Sequence, residues 1–332
     1  MINLVVGTSN DARFNLATEE YLVYKKKFKD PLFFLWQNAN TIVVGRNQNA
    51  FNEINVLKAQ EDNVTIIRRN TGGGTVYQDM GNICFSSIVE NNNLSSSQNY
   101  QRTLAPIIDF LNQKGVKAYF SGRNDIEVDQ MKISGNAQLK TQDKILEHGT
   151  LLFDVDLSKL PKYLNVDKTK MESKKVASVG AKVTNIKHLL NEPLEIEEFT
   201  KQLITHYVKG DEVNLIELND EDIMHIKHLV SEKYSNWDWT FGKNAEFKKK
   251  NKVYEPHLGL IEVNFDVVDA RITKVKFYGD FMGYQGTEKL ERALVKCLFT
   301  EHDIQKVLNK FKVKNIFGPN FKEQDIIDLF FK

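Results

Sequence analysis

The residues with the clearest chemical potential in this sequence are two arginines followed by three consecutive glycines. Residues 68–79 read Arg-Arg-Asn-Thr-Gly-Gly-Gly-Thr-Val-Tyr-Gln-Asp and follow an apolar, strand-like run at residues 64–67. Three adjacent glycines cost conformational entropy on folding and provide no side chain to pack. Such a loop is favoured where bare backbone amides approach an anion, and flanking arginines reinforce the positive field. The stretch predicts a phosphate or carboxylate site, and a plain glycine-rich turn beside two surface arginines explains it equally well.

Three further polar residues lie beside predicted strands. Lys132 precedes Ile-Ser-Gly, and its ammonium group could hold a phosphate as a point charge. Asp125 follows Asn124 ahead of a strand, and its carboxylate is a hard oxygen ligand that suits Mg²⁺ beside nucleotide phosphates. His148 precedes Gly-Thr and could orient a ligand. Each also has a structural interpretation: a surface lysine, an Asx turn that enters a strand, and a core histidine.

Other candidate chemistries lack the partners that they need. His225 and His228 share one side of a predicted helix, but no acidic or thiol group joins them as a metal ligand. Cys84 lies inside a strand pattern, which favours a small buried residue over a nucleophile. The glycine stretch lacks the Gly-Lys-Ser/Thr ending of a P-loop, and no Ser-His-Asp arrangement is visible.

Alternating strands and helices must position the candidate residues. Strands are predicted at residues 2–6, 82–89, 116–120, 126–128, 132–138 and 149–154, with a hairpin formed by residues 33–36 and 41–44. Helices are predicted after the capping residue Asp11, near residues 53–61, and over 100–114, 194–208 and 220–234. The polar loops follow apolar strands, so we expect them to gather at one edge of an α/β domain. The lysine-rich residues 161–176 predict a mobile loop.

Composition indicates a soluble globular protein with two domains. The chain has 332 residues, of which 41% are apolar and 27% charged, and its net charge of +1 gives no nucleic-acid-binding signature. Two cysteines at no metal-like spacing predict a reducing cytoplasm. Residues 1–15 lack a signal-peptide pattern, and no apolar run reaches the roughly 18 residues that a membrane span needs.

A lysine run at residues 248–252, shortly after Trp-Asp-Trp at 237–239, predicts a domain boundary near residue 245. We interpret the lysine run as a solvated charged segment. Beyond it, residues 258–267 and 271–277 predict a hairpin, and three helices are predicted at 287–299, 301–311 and 322–331.

Taken together, the motifs resemble those of the lipoate–protein ligase A family. Residues 68–77 are similar to the family's RRxSGGGxV(F/Y) loop. Further signatures occur in family order as Gly-Arg-Asn-Asp at 122–125, Lys-Ile-Ser-Gly-Asn-Ala at 132–137 and His-Gly-Thr-Leu-Leu at 148–152. Segments 15–20, 45–49, 183–185 and 237–239 also fit.

The resemblance covers essentially the whole chain and implies its fold. Residues 1–245 would form an α/β (α+β) catalytic domain of the biotin/lipoate protein ligase type, with a class II synthetase-like mixed sheet. Residues 246–332 would form a small α+β C-terminal accessory domain.

The resemblance also implies an activity. The family converts lipoate and ATP to lipoyl-adenylate, then transfers the lipoyl group to a lysine of a lipoyl domain, as in 2-oxoacid dehydrogenase acyltransferases and glycine cleavage H protein. We therefore expect ATP and lipoate as substrates, Mg²⁺ as cofactor, lipoyl-domain proteins as partners, and a cytoplasmic monomer that binds neither nucleic acid nor membranes.

Roles for individual residues follow from the same resemblance. Lys132 would be catalytic, bridging the lipoate carboxyl group and the α-phosphate, and Asp125 would bind Mg²⁺. A loop at residues 161–182 would close over the adenylate and exclude water. The implied ATP- and adenylate-binding residues are Arg69, Gly74, Thr75, Val76, Tyr77, Asn82, Asn124 and Lys132. The implied lipoate-binding residues are Arg69, Gly72, Gly73, Lys132 and His148.

Two positions depart from the family pattern. Gln78 stands where the family usually has a histidine; it can hydrogen-bond but cannot become cationic. Gly180 stands where a basic residue is common, and Lys182 could replace that charge. These changes put substrate preference and rate in question more than reaction class.

Two alternatives stay open. One is an octanoyl- or lipoyl-transferase of the same fold, which would carry the acyl group on a cysteine. The other is a catalytically silent homologue that binds lipoate or nucleotide. A biotin–protein ligase is related in fold, but its Gly-Arg-Gly-Arg type of loop is missing.

Overall fold

The structure is a computed structural model, and it describes residues 1–165, 183–241 and 248–331. Its strands are β1 (Ile2–Val6), β2 (Leu32–Trp36), β3 (Thr41–Val44), β4 (Thr65–Arg68), β5 (Val76–Gln78), β6 (Asn82–Glu90), β7 (Tyr119–Phe120), β8 (Asp125–Val128), β9 (Met131–Lys140), β10 (Lys144–Leu152), β11 (Val213–Leu215), β12 (Lys249–Glu255), β13 (Gly259–Val268) and β14 (Arg271–Gly279).

The α-helices are α1 (Ala12–Tyr24), α2 (Ala50–Glu53), α3 (Val56–Glu61), α4 (Ser96–Gln113), α5 (Leu160–Tyr163), α6 (Ile196–Tyr207), α7 (Asp220–Leu229), α8 (Trp237–Thr240), α9 (Glu288–Leu294), α10 (Glu301–Leu308), α11 (Val313–Phe317) and α12 (Glu323–Phe331). A π-helical turn at Val230–Tyr234 continues α7. In the described parts of the chain, no helix has the length and apolar content that crossing a membrane requires.

A mixed eight-stranded sheet forms the centre of the N-terminal part, in the order β11-β1-β2-β6-β10-β9-β8-β7. Strands β11, β1 and β2 run parallel, and every later neighbour pairs antiparallel. Successive side chains of a strand face opposite sides. In β2, Phe33 and Leu35 therefore pack with α4 and α6, whereas Phe34 and Trp36 pack with α1 and α7.

Helix α1 begins at Ala12 because the Asp11 side chain accepts a hydrogen bond from the Arg13 N–H. A cap of this kind stabilises a helix by about 1 kcal/mol. The buried stripe of α1 presses Leu16 and Glu19 against the large sheet. The predicted cap is thus present, and it fixes the helix that forms one side of the site.

A second, three-stranded sheet has the order β4-β3-β5, with β3 parallel to β4 and antiparallel to β5. The predicted hairpin of residues 33–36 and 41–44 is therefore wrong, because β2 and β3 belong to different sheets. The reason is the segment between them. Asn15 of α1 donates to the Gln37 carbonyl and to Asn38 Oδ1, and the Ala39 N–H donates to Asn10. These contacts turn the chain from one sheet to the other.

The C-terminal part has its own sheet, β12-β13-β14, packed under helices through an aromatic core that includes Phe265, Phe277 and Phe330. The predicted hairpin is present as β13 and β14. The lysine run at 248–252 was predicted to be a solvated segment; residues 248–250 are exposed, and the run enters edge strand β12. An edge strand tolerates lysines because one side faces solvent. Helix α11 was not predicted.

The remaining predicted elements occur close to their expected places. The predicted boundary at residue 245 lies outside the described residues and stays a prediction. The same holds for most of the lysine-rich segment, since only its first residues are described, as part of α5 and the turn after it.

Candidate functional site

Cross-strand neighbours on the α1 face of the large sheet bring several strands to one place. Trp36 of β2 lies opposite Cys84 of β6, which lies opposite Thr150 of β10. In the next row, Ser86 lies opposite His148. Directly opposite residues of antiparallel strands share a face. The sheet therefore presents a mixed apolar and polar floor at this point.

A cavity of about 130 Å³ lies above this floor and contains many of the predicted residues. Its apolar wall comes from α1 and from strands of both sheets of the N-terminal part, through Leu16, Trp36, Val43, Cys84 and Ala137. The predicted site residues that line it are Arg69, Gly73, Gly74, Thr75, Val76, Asn124, Lys132 and His148. A larger cavity of about 350 Å³ beside β1 and β11 contains none of the predicted residues. Converging polar groups therefore identify the smaller cavity as the candidate site.

The glycine loop, residues 69–75, is shaped by hydrogen bonds from Arg69. Its guanidinium donates to the carbonyl oxygens of Gly72 (2.7 Å) and Gly74 (2.8 Å) and to that of Val43 (3.2 Å). These bonds turn the loop's carbonyl oxygens toward Arg69. Within the described residues, no acceptor takes the N–H groups of residues 72–74. Free amides with their carbonyls turned away are the arrangement that binds an anion.

Close packing explains a second glycine beside the loop. A Cβ on Gly45 would lie 1.9 Å from the Gly73 carbonyl oxygen, which no real contact allows. Gly73 itself has a φ of +88°, a conformation that side chains disfavour. In contrast, a Cβ on Gly74 would meet no atom within 4 Å. Gly45 and Gly73 thus build the loop, whereas Gly74 leaves space open.

The two arginines of the motif are both buried, so they are not the surface arginines of the plain-turn interpretation. Arg68 donates to the carbonyl oxygens of Gly45, Gln48 and Thr240, which ties the loop region to α8. Burial lowers the pKa of Arg68 and of Arg69 to about 10, and the negative charge of Glu19 opposes this for Arg69. Both guanidinium groups therefore stay charged at neutral pH.

Lys132 lies across the cavity from the glycine loop, on β9. Its Nζ pairs with Asp125 Oδ1 at 2.9 Å, and both side chains are about one-quarter exposed. The side chain passes over Gly135, where a Cβ would lie 2.6 Å from Nζ. The glycine of the Lys-Ile-Ser-Gly motif therefore makes room for the lysine. Asn124 lies beside them, with its side-chain amide donating to the Asn136 carbonyl at 2.7 Å.

His148 is held between the glycine loop and α1. Its Nε2 lies 2.7 Å from Thr71 Oγ1, and its Nδ1 lies 2.8 Å from Glu19 Oε1. Ser86 also donates to Glu19 Oε1, at 2.6 Å. The predicted lone histidine is thus part of a buried polar group on the cavity wall.

Four predicted residues lie next to the cavity rather than on its wall. Tyr77 is buried in the small sheet's core, with its hydroxyl donating to Asn40. Asn82 is buried and donates to Cys84 Sγ at 3.2 Å. Gly72 packs against residue 281, and Asp125 reaches the site through Lys132. Their predicted ligand contacts stay predictions.

Gln78, the departure from the family pattern, lies on the cavity wall and is buried. Its Oε1 accepts a hydrogen bond from Asn38 at 2.8 Å, and Asn38 accepts one from Asn15. This orientation fixes the amide of Gln78 in a chain of neutral side chains. Gly180 and Lys182, named with it, lie outside the described residues.

The C-terminal part contacts the glycine loop directly, which the sequence did not suggest. Met282 Sδ would be 3.3 Å from a Cβ on Gly73, and the Phe281 carbonyl oxygen would be 2.6 Å from one on Gly72. Arg46 pairs with Glu288 at 3.1 Å, and the Gly279 N–H donates to Asn47. The loop is thus packed between the two parts of the chain.

Sequence reasoning also missed Glu19, Trp36 and Leu16. Residues 15–20 matched a family segment, but that match gave Glu19 no role. The usable signal was a carboxylate inside the apolar stripe of a predicted helix, since such a group is rarely buried without a partner. No comparable signal marks Met282.

Comparisons with known proteins agree with the geometry. The Lipoyl protein ligase A/B catalytic domain family matches residues 11–208, and the Bacterial lipoate protein ligase C-terminus family matches residues 244–330. A probable lipoate-protein ligase A from Mycoplasma pneumoniae is 38% identical over 97% of this chain and 95% of its own length. Lipoate–protein ligase 1 of Staphylococcus aureus is 38% identical over 93% of each chain.

Among solved structures, P. falciparum LipL1 in complex with lipoate superimposes with a TM-score of 0.78 at 26% identity. The match covers 99% of this chain and 97% of that chain. A lipoate-protein ligase A bound with ATP gives a TM-score of 0.61 at 21% identity and covers 73% of this chain, which shows a shared fold.

Proposed function

On the premise that this chain belongs to the lipoate–protein ligase family, we propose that it activates lipoate with ATP and transfers the lipoyl group to a lysine of an acceptor protein. The family and fold predicted from the motifs are confirmed by these matches. The observation that carries the proposal is the glycine loop with its free amides, which lines the same cavity as Lys132.

The first step joins two anions, so positive charge must offset their repulsion. The lipoate carboxylate attacks the α-phosphorus of ATP, and the bond to the β-phosphate breaks, with pyrophosphate leaving. Lys132 would lie between the carboxylate and the α-phosphate and would stabilise the charge that develops there. The amides of residues 72–74 would hold the lipoyl carboxyl and phosphate oxygens, while Arg69 keeps those amides in place.

The apolar wall suits the rest of the lipoyl group. Leu16, Trp36 and Cys84 would contact its aliphatic chain, and His148 would support the same wall. Asn124 would contact the adenylate from the Lys132 side of the cavity. Enclosure by these groups would keep water from the reactive anhydride.

Asp125 fits a Mg²⁺ ligand by its chemistry. Mg²⁺ in nucleotide sites uses one or two carboxylates and takes its other ligands from phosphate and water. Asp125 supplies one such carboxylate beside Lys132, and its side chain is about one-quarter exposed. When bound, Mg²⁺ would neutralise phosphate charge. Among the described residues, no group of three or more candidate ligands surrounds it.

In the second step, the acceptor lysine amine attacks the lipoyl carbonyl carbon, and the bond to AMP breaks. An amide forms, and the amine loses a proton. This step needs mainly proximity and orientation. Exposed lysines at residues 248–250 would attract an acidic acceptor domain, of the lipoyl-domain type, to the accessory domain.

The transferase alternative needs a nucleophilic cysteine at the site. Cys84 is the cysteine on the cavity wall, but it is fully buried, and burial raises the pKa of its thiol well above the usual range. A thiol in this state is a poor nucleophile. Cys297, the chain's other cysteine, packs against the hydrophobic core of the C-terminal part and does not line the cavity. These observations favour a ligase.

One assay separates the ligase from both alternatives. Purified protein is incubated with ATP, Mg²⁺ and lipoate, and AMP, pyrophosphate and covalent acyl-enzyme are measured. A ligase forms pyrophosphate only when lipoate is present, and the wild-type protein carries no more thioester than the Cys84→Ser control. When an octanoyl or lipoyl thioester replaces lipoate as the donor, transfer of its acyl group to the enzyme with release of the donor thiol and no ATP consumption would indicate a transferase. Lipoate binding without pyrophosphate release would indicate a silent homologue.

A further inference from the structure

A line of buried hydrogen bonds connects the glycine loop to α1 behind the cavity. Arg69 Nε donates to Thr71 Oγ1 at 3.1 Å, Thr71 Oγ1 lies 2.7 Å from His148 Nε2, and His148 Nδ1 lies 2.8 Å from Glu19 Oε1. The four side chains are between 0% and 8% exposed. We call Arg69, Thr71, His148 and Glu19 the buried chain.

The chemistry of the end groups fixes the direction of each hydrogen bond. A guanidinium can only donate, so Thr71 Oγ1 accepts from Arg69. At the other end, a carboxylate can only accept, so His148 Nδ1 donates to Glu19. In a neutral imidazole with Nδ1 protonated, Nε2 is an acceptor, so the Thr71 hydroxyl donates a hydrogen bond to His148 Nε2. The three hydrogen bonds between Arg69 and Glu19 then all donate in the same direction, toward the Glu19 carboxylate.

Glu19 also supplies charge that the buried Arg69 needs. Glu19 has 0% exposure, and its Oε1 accepts from both His148 and Ser86. Its Oε2 has no hydrogen-bond partner among the described residues. A buried charge without an opposing charge is costly, so Arg69 and Glu19 stabilise each other through the groups between them.

We propose that Glu19 is a positioning residue for substrate binding: it fixes the tautomer of His148 and, through Thr71, the orientation of Arg69 and the glycine loop. This inference rests on the proposed function. Glu19 touches no substrate in this account. It acts through the loop, so its loss weakens lipoate binding more than it slows the chemical step.

The test uses Glu19→Gln, Thr71→Val and the double variant in a pyrophosphate-release assay with varied lipoate. Glu19→Gln removes the negative charge at one end of the buried chain, and Thr71→Val removes the hydroxyl group in its middle. We expect each variant to raise the KM for lipoate about tenfold, the effect of losing one charge-assisted or buried hydrogen bond. The KM of the double variant should be close to that of the more impaired single variant, because one change already interrupts the buried chain. Thr71→Ser keeps the hydroxyl and should stay near wild type.

The control is Glu147→Gln, a second buried carboxylate next to His148 in sequence but on the opposite face of β10. Its carboxylate accepts a hydrogen bond from the Gln138 side chain, which is not part of the buried chain. Its KM should stay within about twofold of wild type, and its effect should add to that of Thr71→Val.

Two results would overturn the inference: a folded Glu19→Gln protein with a wild-type KM, or Glu19→Gln and Thr71→Val effects that multiply. A merely structural role would lower the melting temperature and the active fraction, and hence kcat, without raising KM. If Glu19→Gln does not fold, Glu19→Asp replaces it; this shorter carboxylate should raise KM, and an unchanged KM would again overturn the inference. A wild-type protein that releases no pyrophosphate would mean that the proposed function is wrong. The lipoate affinities of the same proteins, measured by calorimetry, would still test the role of Glu19 in that case.

Discussion

Strand β10 has a buried carboxylate against each of its two faces, and the protein holds them in opposite ways. On the α1 face, Glu19 accepts hydrogen bonds from His148 and Ser86 and opposes the charge of Arg69. On the α4 face, Glu147 accepts hydrogen bonds from the neutral side chains of Gln138 and Thr103, and burial raises the pKa of its carboxyl group to about 7.

The difference separates a carboxylate held in a polar network beside the candidate site from one that burial drives toward its neutral form. A buried charge is held within a polar network where the network also shapes a binding loop, as on the Glu19 face. Without an opposing charge, burial favours the neutral form, as for Glu147.

Replacing Lys132 should affect activity most. Lys132→Ala removes the cation that lines the cavity with the glycine loop. We therefore expect the activation free energy of lipoyl-adenylate formation to rise by about 3 kcal/mol or more, with little change in stability. Pyrophosphate release and the melting temperature measure the two effects. Near-normal pyrophosphate release by the variant would contradict the catalytic role proposed for Lys132.

Glu147→Gln should affect stability, and only at higher pH. Between its unfolded pKa near 4.5 and its folded pKa of about 7, the folded state keeps a proton that the unfolded state has lost. The free energy of unfolding therefore falls as pH rises through this window, by roughly 3 kcal/mol in total. The glutamine has no proton to lose, so the variant should be more stable than wild type above about pH 7 and similar below about pH 5.

Chemical denaturation at several pH values checks this prediction. The exposed Glu255→Gln serves as the control and should leave the wild-type pH dependence intact. An equal gain in stability for Glu147→Gln at low and high pH would mean that protonation of Glu147 is not the cause.

The two glycines around the loop should separate stability from binding. Gly45→Ala places a Cβ against the Gly73 carbonyl and should cost about 1–3 kcal/mol of stability. Gly74→Ala projects into open space, so its melting temperature should stay near wild type while its KM for lipoate or ATP rises. Equal melting temperatures for the two variants would contradict the described loop packing.

The smallest effect should come from the lysines of the accessory domain. Lys248→Ser/Lys250→Ser should slow transfer to an acidic acceptor severalfold at low salt and less at high salt, because exposed charges are screened. The control Lys310→Ser/Lys312→Ser removes the same charge elsewhere on that domain. Salt-independent transfer by wild type would argue against electrostatic attraction.

Local patterns predicted much of this molecule. Asp11 and Gly115 mark helix ends by side-chain capping and by a φ of +88°, which are properties of short segments. The glycine loop and Lys132 could be predicted because a site that binds anions requires uncommon residue types, and these occur at a recognisable spacing in the sequence. Such signals do not depend on how distant parts of the chain meet.

The rest depends on contacts between distant residues. Glu19 meets His148 across 129 positions, and Met282 meets the glycine loop from another part of the chain. The false hairpin arose because β2 and β3 are close in sequence, while Asn15 directs them into different sheets. Arg69 carries a ligand-binding prediction, yet its described side-chain hydrogen bonds go to the loop itself and to the Val43 carbonyl of β3.

The most direct test of the central claim is the mass of an acceptor. Purified protein is incubated with ATP, Mg²⁺, lipoate and a lipoyl domain, and the domain is weighed by mass spectrometry with and without ATP. We expect the mass of the domain to increase by one lipoyl group when ATP is present, and to stay unchanged when Lys132→Ala replaces the wild-type protein. An acceptor domain that stays unmodified, or that is lipoylated equally well without ATP, would contradict the proposed function.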